Sequence, residues 1–228
     1  MNIAGLQKLT LLDFPGYTAC TVFTSGCNFR CPFCHNSDLL SSKDNIITES
    51  EFFDFLTARK GKLDGVCISG GEPLLQSDIV NFIKKIRELG FLIKLDTNGS
   101  NFEKLKDILQ GNLVDYVAMD IKNIPEKYHL SCGVNVNIEN IKKSVELIKN
   151  SNVNYEFRTT VVKELNDKQD FKTIASWLKG SKGYYLQCYR ESEKVLNPIY
   201  TAYTESEMKD ILNLIKQAGL EKVYLRGI

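Results

Sequence analysis

The sequence predicts an α/β fold in which parallel strands alternate with covering helices, wound into a barrel or part of one. Short β-branched runs and amphipathic stretches follow one another in units of roughly 25–45 residues, and that rhythm gives βα units and parallel sheets. Six or seven such units suit a barrel or partial barrel better than a short open sheet, although periodicity alone does not decide. Polar and glycine-rich segments also recur after four consecutive strand patterns, at the end where parallel folds gather ligand chemistry.

The strand patterns are Ala19–Thr24, Gly65–Ser69, Leu92–Thr97, Tyr116–Ile121, Tyr155–Val161, Tyr184–Cys188 and Lys222–Leu225. Helix patterns lie between them at Glu49–Lys60, Asp78–Leu89, Asn101–Leu109, Glu139–Lys149, Lys168–Leu178 and Glu205–Ala218. Thr48 with Glu51, Ser100 with Glu103 and Thr204 with Glu207 each have the spacing of a capping box, in which hydroxyl and carboxylate satisfy orphan backbone donors reciprocally. Gly90 and Gly219 stand just past two helices, where a left-handed residue ends them at little cost. No low-complexity segment, Pro-rich linker or exact repeat divides the chain, and one domain over residues 1–228 is expected.

Apolar residues at 43% and charged residues at 25% describe an ordinary globular protein. A net charge of +1 leaves no electrostatic footprint for nucleic acid or an anionic membrane, so neither is expected as a partner. No stretch approaches the roughly 20 apolar residues of a transmembrane helix. Met1 to Leu12 does not read as a signal peptide, and a cytoplasmic location is expected. The cysteines number seven, an odd count in a long chain, which speaks against a disulfide framework. Cys20, Cys67 and Cys188 lie in apolar runs as small buried hydrophobes, and Cys132 stands apart.

The remaining three cysteines sit in Cys27-Asn28-Phe29-Arg30-Cys31-Pro32-Phe33-Cys34-His35-Asn36, a CxxxCxxC pattern. Three thiolates from one loop suit iron–sulfur ligation and leave one iron of a 4Fe–4S cube open to a substrate or cofactor. Zinc held by Cys27, Cys31, Cys34 and His35 is the competing assignment. It requires adjacent Cys34 and His35 to aim at one ion, against the usual spacing. The next strand ends in Ser69-Gly70-Gly71-Glu72-Pro73, the third in Asp96-Thr97-Asn98-Gly99 and the fourth in Asp120-Ile121-Lys122, which together compose one site.

These motifs resemble the radical S-adenosylmethionine enzymes, whose signature is CxxxCxΦC with an aromatic at Φ, here Phe33. Gly70 to Pro73 is similar to the family's GGEP motif. Two glycines allow close backbone approach to the methionine ammonium of S-adenosylmethionine, and Glu72 is expected to add negative charge near it. Over Leu11-Leu12-Asp13-Phe14-Pro15-Gly16, the cysteine loop, Leu95 to Gly99, Met119 to Lys122 and Phe157 to Thr160, the chain most resembles activators of glycyl-radical enzymes. That match covers roughly the first 160 residues, counted along the sequence.

The resemblance implies a partial (β/α)6-type TIM barrel, with Cys27, Cys31 and Cys34 on one 4Fe–4S cluster. It places Phe33 and His35 by the adenine, and Gly70, Gly71 and Glu72 at the amino group. Asp96, Asp120 and Lys122 hold the methionine carboxylate and ribose region, the two aspartates through a monovalent cation, and Arg158 faces the cofactor. Reductive cleavage then yields a 5′-deoxyadenosyl radical, which takes hydrogen from a glycine of a partner. A low-potential donor such as flavodoxin or ferredoxin is implied, and the partner is a glycyl-radical enzyme. Gln187 to Arg190 lacks the histidine of formate-lyase activators, which puts anaerobic ribonucleotide reductase ahead as partner. Only 35 residues separate Cys34 from Gly70, too few for a ferredoxin-like insert, so a single cluster is expected.

Blander assignments stand beside these. Asp96 to Gly99 reads equally as a turn, Asp120 and Lys122 as a surface pair, and Arg158 as solvent-facing. His129 reads as surface, and Trp177, Phe52, Phe53 and Phe55 as core. The rival functions are a radical enzyme acting on a small molecule, such as a deazapurine precursor, and a non-catalytic metal or electron-transfer protein.

Overall fold

The computed structural model describes residues 1–40, 47–191 and 195–228. In chain order the elements are β1 (Ile3–Thr10), β2 (Ala19–Thr24), α1 (Glu49–Ala58), β3 (Gly65–Gly70), α2 (Ile79–Glu88), β4 (Leu92–Thr97), α3 (Phe102–Gln110), β5 (Tyr116–Asp120), α4 (Tyr128–Cys132), α5 (Ile138–Lys149), β6 (Asn154–Val161), α6 (Lys168–Trp177), β7 (Tyr184–Cys188), α7 (Glu205–Gln217) and β8 (Val223–Arg226). The strands are ordered in the sheet as they are in the chain, from β1 to β8. Each strand from β2 to β7 is followed by helix, which makes the expected (β/α)6 series.

The chain gathers into two compact units. The first comprises Met1–Asn28, Asp38–Ala118 and Ser151–Asn154. In it β2, β3 and β4 are parallel and in step, with Cys20 opposite Val66, Thr24 opposite Gly70 and Ile68 opposite Leu95. Val22, Ile68, Ile93 and Leu95 of these strands are fully buried, as are Leu56 and Ile83 of the helices. Phe52 and Phe82 stack at 5.2 Å, which puts the Phe52 face of α1 in the core as the apolar spacing implied.

β1 is absent from the sequence-predicted strands. It pairs antiparallel with β2 through shifts in register, and its middle residues Gln7, Lys8 and Leu9 face solvent, so no apolar run marks it.

The second unit comprises Phe29–Ser37, Met119–Asn150 and Tyr155–Ile228. Here β6, β7 and β8 are parallel, with Thr160 opposite Gln187 and Gln187 opposite Arg226. The Ile121 N–H, just past β5, bonds Arg158 O at 2.7 Å. Phe157, Phe171, Ile174, Leu186, Met208 and Ile215 fill this unit's core.

Two of the three expected capping boxes close, Thr48 with Glu51 and Thr204 with Glu207. The third does not form. Asn101, one residue later, caps α3 by accepting the Lys104 N–H, and Ser100 turns its hydroxyl to Asn98. A further box joins Asp167 to Asp170 at the start of α6. Among the described residues, no helix is long and apolar enough to cross a membrane.

Candidate active site

In the first unit the Gly70-Gly71 turn lies against the end of β2. The Gly71 N–H bonds Thr24 O at 2.9 Å, and the Glu72 N–H bonds Gly26 O at 2.8 Å. A Cβ on Gly71 would stand 2.0 Å from Gly26 O, and one on Gly70 would stand 2.3 Å from Thr24 N. Gly70 also holds φ at +115°, in the region that favours glycine. The glycine-rich turn is thus tied by its backbone to the residues immediately before Cys27.

Glu72 is held by the protein around it. Its side chain is fully buried, and its carboxylate accepts the Leu74 N–H at 3.1 Å, the Thr97 hydroxyl at 2.7 Å and the Asn98 N–H at 2.7 Å. The charge joins the residues just past β3 to the end of β4. Asn98 then reaches the cysteine loop, donating to Asn28 Oδ1 at 2.9 Å with Cys27 Sγ 4.0 Å away. Asn28 donates in turn to Ser100 Oγ at 2.8 Å. Asp96 accepts from Ser69 Oγ at 3.1 Å and pairs with the buried ammonium of Lys94.

In the second unit Cys31 and Cys34 bracket a tight turn closed by the Cys34 N–H on Cys31 O at 3.0 Å. Phe29, Cys31 and Phe33 are buried. The turn is held from outside by the Arg30 N–H on Cys132 O and the Asn197 N–H on Pro32 O, both 2.8 Å. Gly133, left-handed at φ +67°, lets the end of α4 approach; a Cβ there would lie 2.2 Å from Arg30 O.

Asp120 is the hub of a charged triad. Arg158 Nε donates to Oδ1 and Lys122 Nζ to Oδ2, each at 2.9 Å. Burial pushes the Asp120 carboxyl up, but the Arg158 and Lys122 cations outweigh it and hold the pKa well below the usual carboxylate range. Lys122 is likewise pulled down by burial and raised further by Asp120 and Cys31, so its pKa lies above the ordinary lysine value. Its ammonium is 6.0 Å from the centre of the Phe33 ring. Arg158 is thus turned inward rather than solvent-facing, and Asp120 with Lys122 is more than a surface pair.

Exposed His35 sits 5.6 Å from the Tyr189 ring, its pKa lowered by partial burial and by Arg190. His35, Thr160, Gln187, Cys188, Arg190 and Glu191 line an open pocket of about 500 Å³. None of the seven cysteines is in a disulfide. Among the described residues no three His, Cys, Asp or Glu side chains are gathered tightly enough to grip one ion.

Sequence reasoning missed Lys94, Asn28 and Tyr128. Tyr128 is buried and donates to the backbone O of Asp120 at 3.3 Å. Lys94 did leave a signal, a charge inside the otherwise apolar run Leu92-Ile93-Lys94-Leu95. Asn28 and Tyr128 left none, because an asparagine in a loop and a tyrosine at the start of a short helix are both unremarkable.

A parallel α/β fold that carries a CxxxCxxC loop and a backbone-anchored GGEP turn defines the radical S-adenosylmethionine class. The family model for the radical SAM superfamily matches residues 21–178, and the chain belongs to that superfamily. Within it the chain stands among the glycyl-radical enzyme activating enzymes. A Methanocaldococcus jannaschii protein provisionally named as such an enzyme is 34% identical over 99% of this chain and 96% of its own length. The pyruvate formate-lyase-activating enzyme of Clostridium pasteurianum is 28% identical over 78% of this chain and 76% of its own. Streptococcus suis SuiB bound to its precursor peptide SuiA shares the fold, with a TM-score of 0.70 at 15% identity over 91% of this chain and 48% of that one.

Proposed function

We propose that this protein installs a glycyl radical on a partner enzyme, anaerobic ribonucleotide reductase, using one 4Fe–4S cluster and S-adenosylmethionine. The observation that carries the reading is the GGEP turn pinned through Thr24 and Gly26 to the start of the CxxxCxxC loop. The donor set also fits the cluster chemically, since three thiols on one loop, none of them in a disulfide, are the soft ligands that iron–sulfur clusters take. When bound, cluster and cofactor supply one-electron cleavage of a carbon–sulfur bond and a carbon radical that takes hydrogen from a glycine Cα.

Cys27, Cys31 and Cys34 are the cluster ligands, and the open pocket beside His35 admits the glycine-bearing segment. Gly70 and Gly71 receive the methionine ammonium on their backbone carbonyls, while Glu72 holds that backbone in shape. Phe33 and His35 flank the adenine. Asp96, Asp120, Lys122 and Arg158 orient the carboxylate and ribose. The electron comes from a low-potential donor such as flavodoxin or ferredoxin, in the cytoplasm. The family match over 21–178 takes in residues of both compact units, which supports one domain over residues 1–228.

The test mixes anaerobically reconstituted, reduced protein with S-adenosylmethionine and the reductase of the same organism, read by electron paramagnetic resonance. A glycyl doublet is expected, lost when the partner glycine becomes alanine, and lost in Cys27→Ala, Cys31→Ala or Cys34→Ala but kept in Cys67→Ala. Absence of any glycyl signal, with 5′-deoxyadenosine formation stimulated by a small molecule instead, transfers the protein to the small-molecule reading.

A further inference from the structure

β4 places Lys94 where its neighbours along the strand are apolar, and Lys94 is only 2% exposed. An ammonium taken from water costs several kcal/mol unless an opposite charge and hydrogen bonds meet it. Three groups of the first unit surround Lys94 Nζ. Asp96 Oδ1 is in direct contact. Cys67 Sγ lies at 3.7 Å, and the centre of the Tyr116 ring lies at 6.0 Å. Residues two apart on a strand share a face, so the strand period itself sets this lysine beside this aspartate.

Asp96 and Asp120 are the residues from which the family resemblance implies a monovalent cation site. Their side chains do not fit one. Asp120 has Arg158 and Lys122 at 2.9 Å, and Asp96 has the Lys94 ammonium. Each carboxylate is already neutralised by cations of its own unit.

We infer that Lys94 is a built-in substitute for the alkali ion. It is a positioning residue whose ammonium neutralises Asp96, while Ser69 Oγ holds the other carboxylate oxygen at 3.1 Å. This deepens the proposed function and rests on its assignment of Asp96 to the S-adenosylmethionine site. A tethered ammonium is present at every salt concentration, so cofactor binding is independent of sodium and potassium. Removing the lysine creates the alkali-ion dependence that the native chain lacks.

The experiment measures S-adenosylmethionine affinity of the cluster-loaded protein in sodium, potassium or choline chloride at equal ionic strength. Affinity of the native protein is expected to agree within about twofold across the three salts. Lys94→Met leaves a carboxylate without its cation, a charged contact worth about 1.5–3 kcal/mol, or roughly tenfold or more in affinity. That loss is expected in choline and is recovered by at least about threefold in sodium or potassium. Thermal midpoints in the same salts guard against a folding defect, with Lys94→Met stabilised by the alkali ions and the native protein indifferent to them. The double variant Lys94→Met/Asp96→Asn buries no lone charge and is expected to lose all salt response. Native affinity or stability that rises in sodium or potassium over choline overturns the inference, as does a Lys94→Met protein that ignores the salt. If the native protein binds no S-adenosylmethionine in any salt, the proposed function fails, and the midpoints still decide the role of Lys94.

Discussion

Glu72→Gln is an isosteric change that removes one charge, at the point where the GGEP turn meets the end of β4. The native carboxylate is fully buried and accepts the Leu74 N–H, the Thr97 hydroxyl and the Asn98 N–H at 2.7–3.1 Å. Hydrogen bonds to charged groups contribute about 1.5–3 kcal/mol and neutral ones about 1. The glutamine oxygen replaces Oε1, so it still accepts from Leu74 and Thr97 at the neutral value. Its NH2 group meets the Asn98 N–H, donor against donor. Losing one charged bond and weakening two others gives a destabilisation of about 3 kcal/mol. For a chain of this length, each kcal/mol moves the thermal midpoint by about 2–4 °C, so a fall of roughly 6–12 °C is expected. Anaerobic thermal unfolding of both proteins, followed by circular dichroism with iron content measured alongside, reads this directly. A fall of less than about 2 °C would refute the assignment of Glu72 as the charged acceptor joining the two strand ends.

Two further expectations follow from the same geometry. Gly71→Ala drives a methyl group to 2.0 Å from Gly26 O, so the turn has to move. S-adenosylmethionine affinity should fall more than about tenfold, at a stability cost of about 1–3 kcal/mol, by calorimetry and urea unfolding; unchanged affinity would remove the turn from the site. The pH dependence of stability tests the Asp120 triad. Its folded pKa is depressed despite burial, because Arg158 and Lys122 face it. The stabilisation is therefore complete above the unfolded value of about 3.9 and is lost as pH falls through the folded value. Native and Asp120→Asn stabilities should differ by a constant amount from about pH 5 to 8 and converge only below about pH 4. Convergence near neutral pH would contradict this.

Legibility in the sequence followed burial and locality. β2, β3 and β4 were visible because nearly every side chain in them is covered, so each is a short apolar run between turn formers. β1 escaped because it is half exposed and irregular in register. Thr48 and Thr204 were read correctly as caps because a capping box is complete within four residues. Ser100 failed as a cap because its neighbour Asn101 competes for the same role, and the backbone angles there choose between them.

The cysteine spacing, the double glycine and the order of strands and helices were determined by sequence alone, since each depends on residues a few positions apart. The tertiary structure alone decided where the charges point. Glu72 is bound by Thr97 and Asn98, Asp120 by Arg158, and Cys27 is approached by Asn98, all pairs brought together from different strands or loops. A carboxylate loses hydration and gains partners according to distance in space, and distance in space is set only when the strands pair. A motif can therefore place Glu72 just past β3, and the sequence can show Lys94 inside β4, but whether either charge faces a ligand or is neutralised within the protein depends on neighbours that the local sequence does not contain.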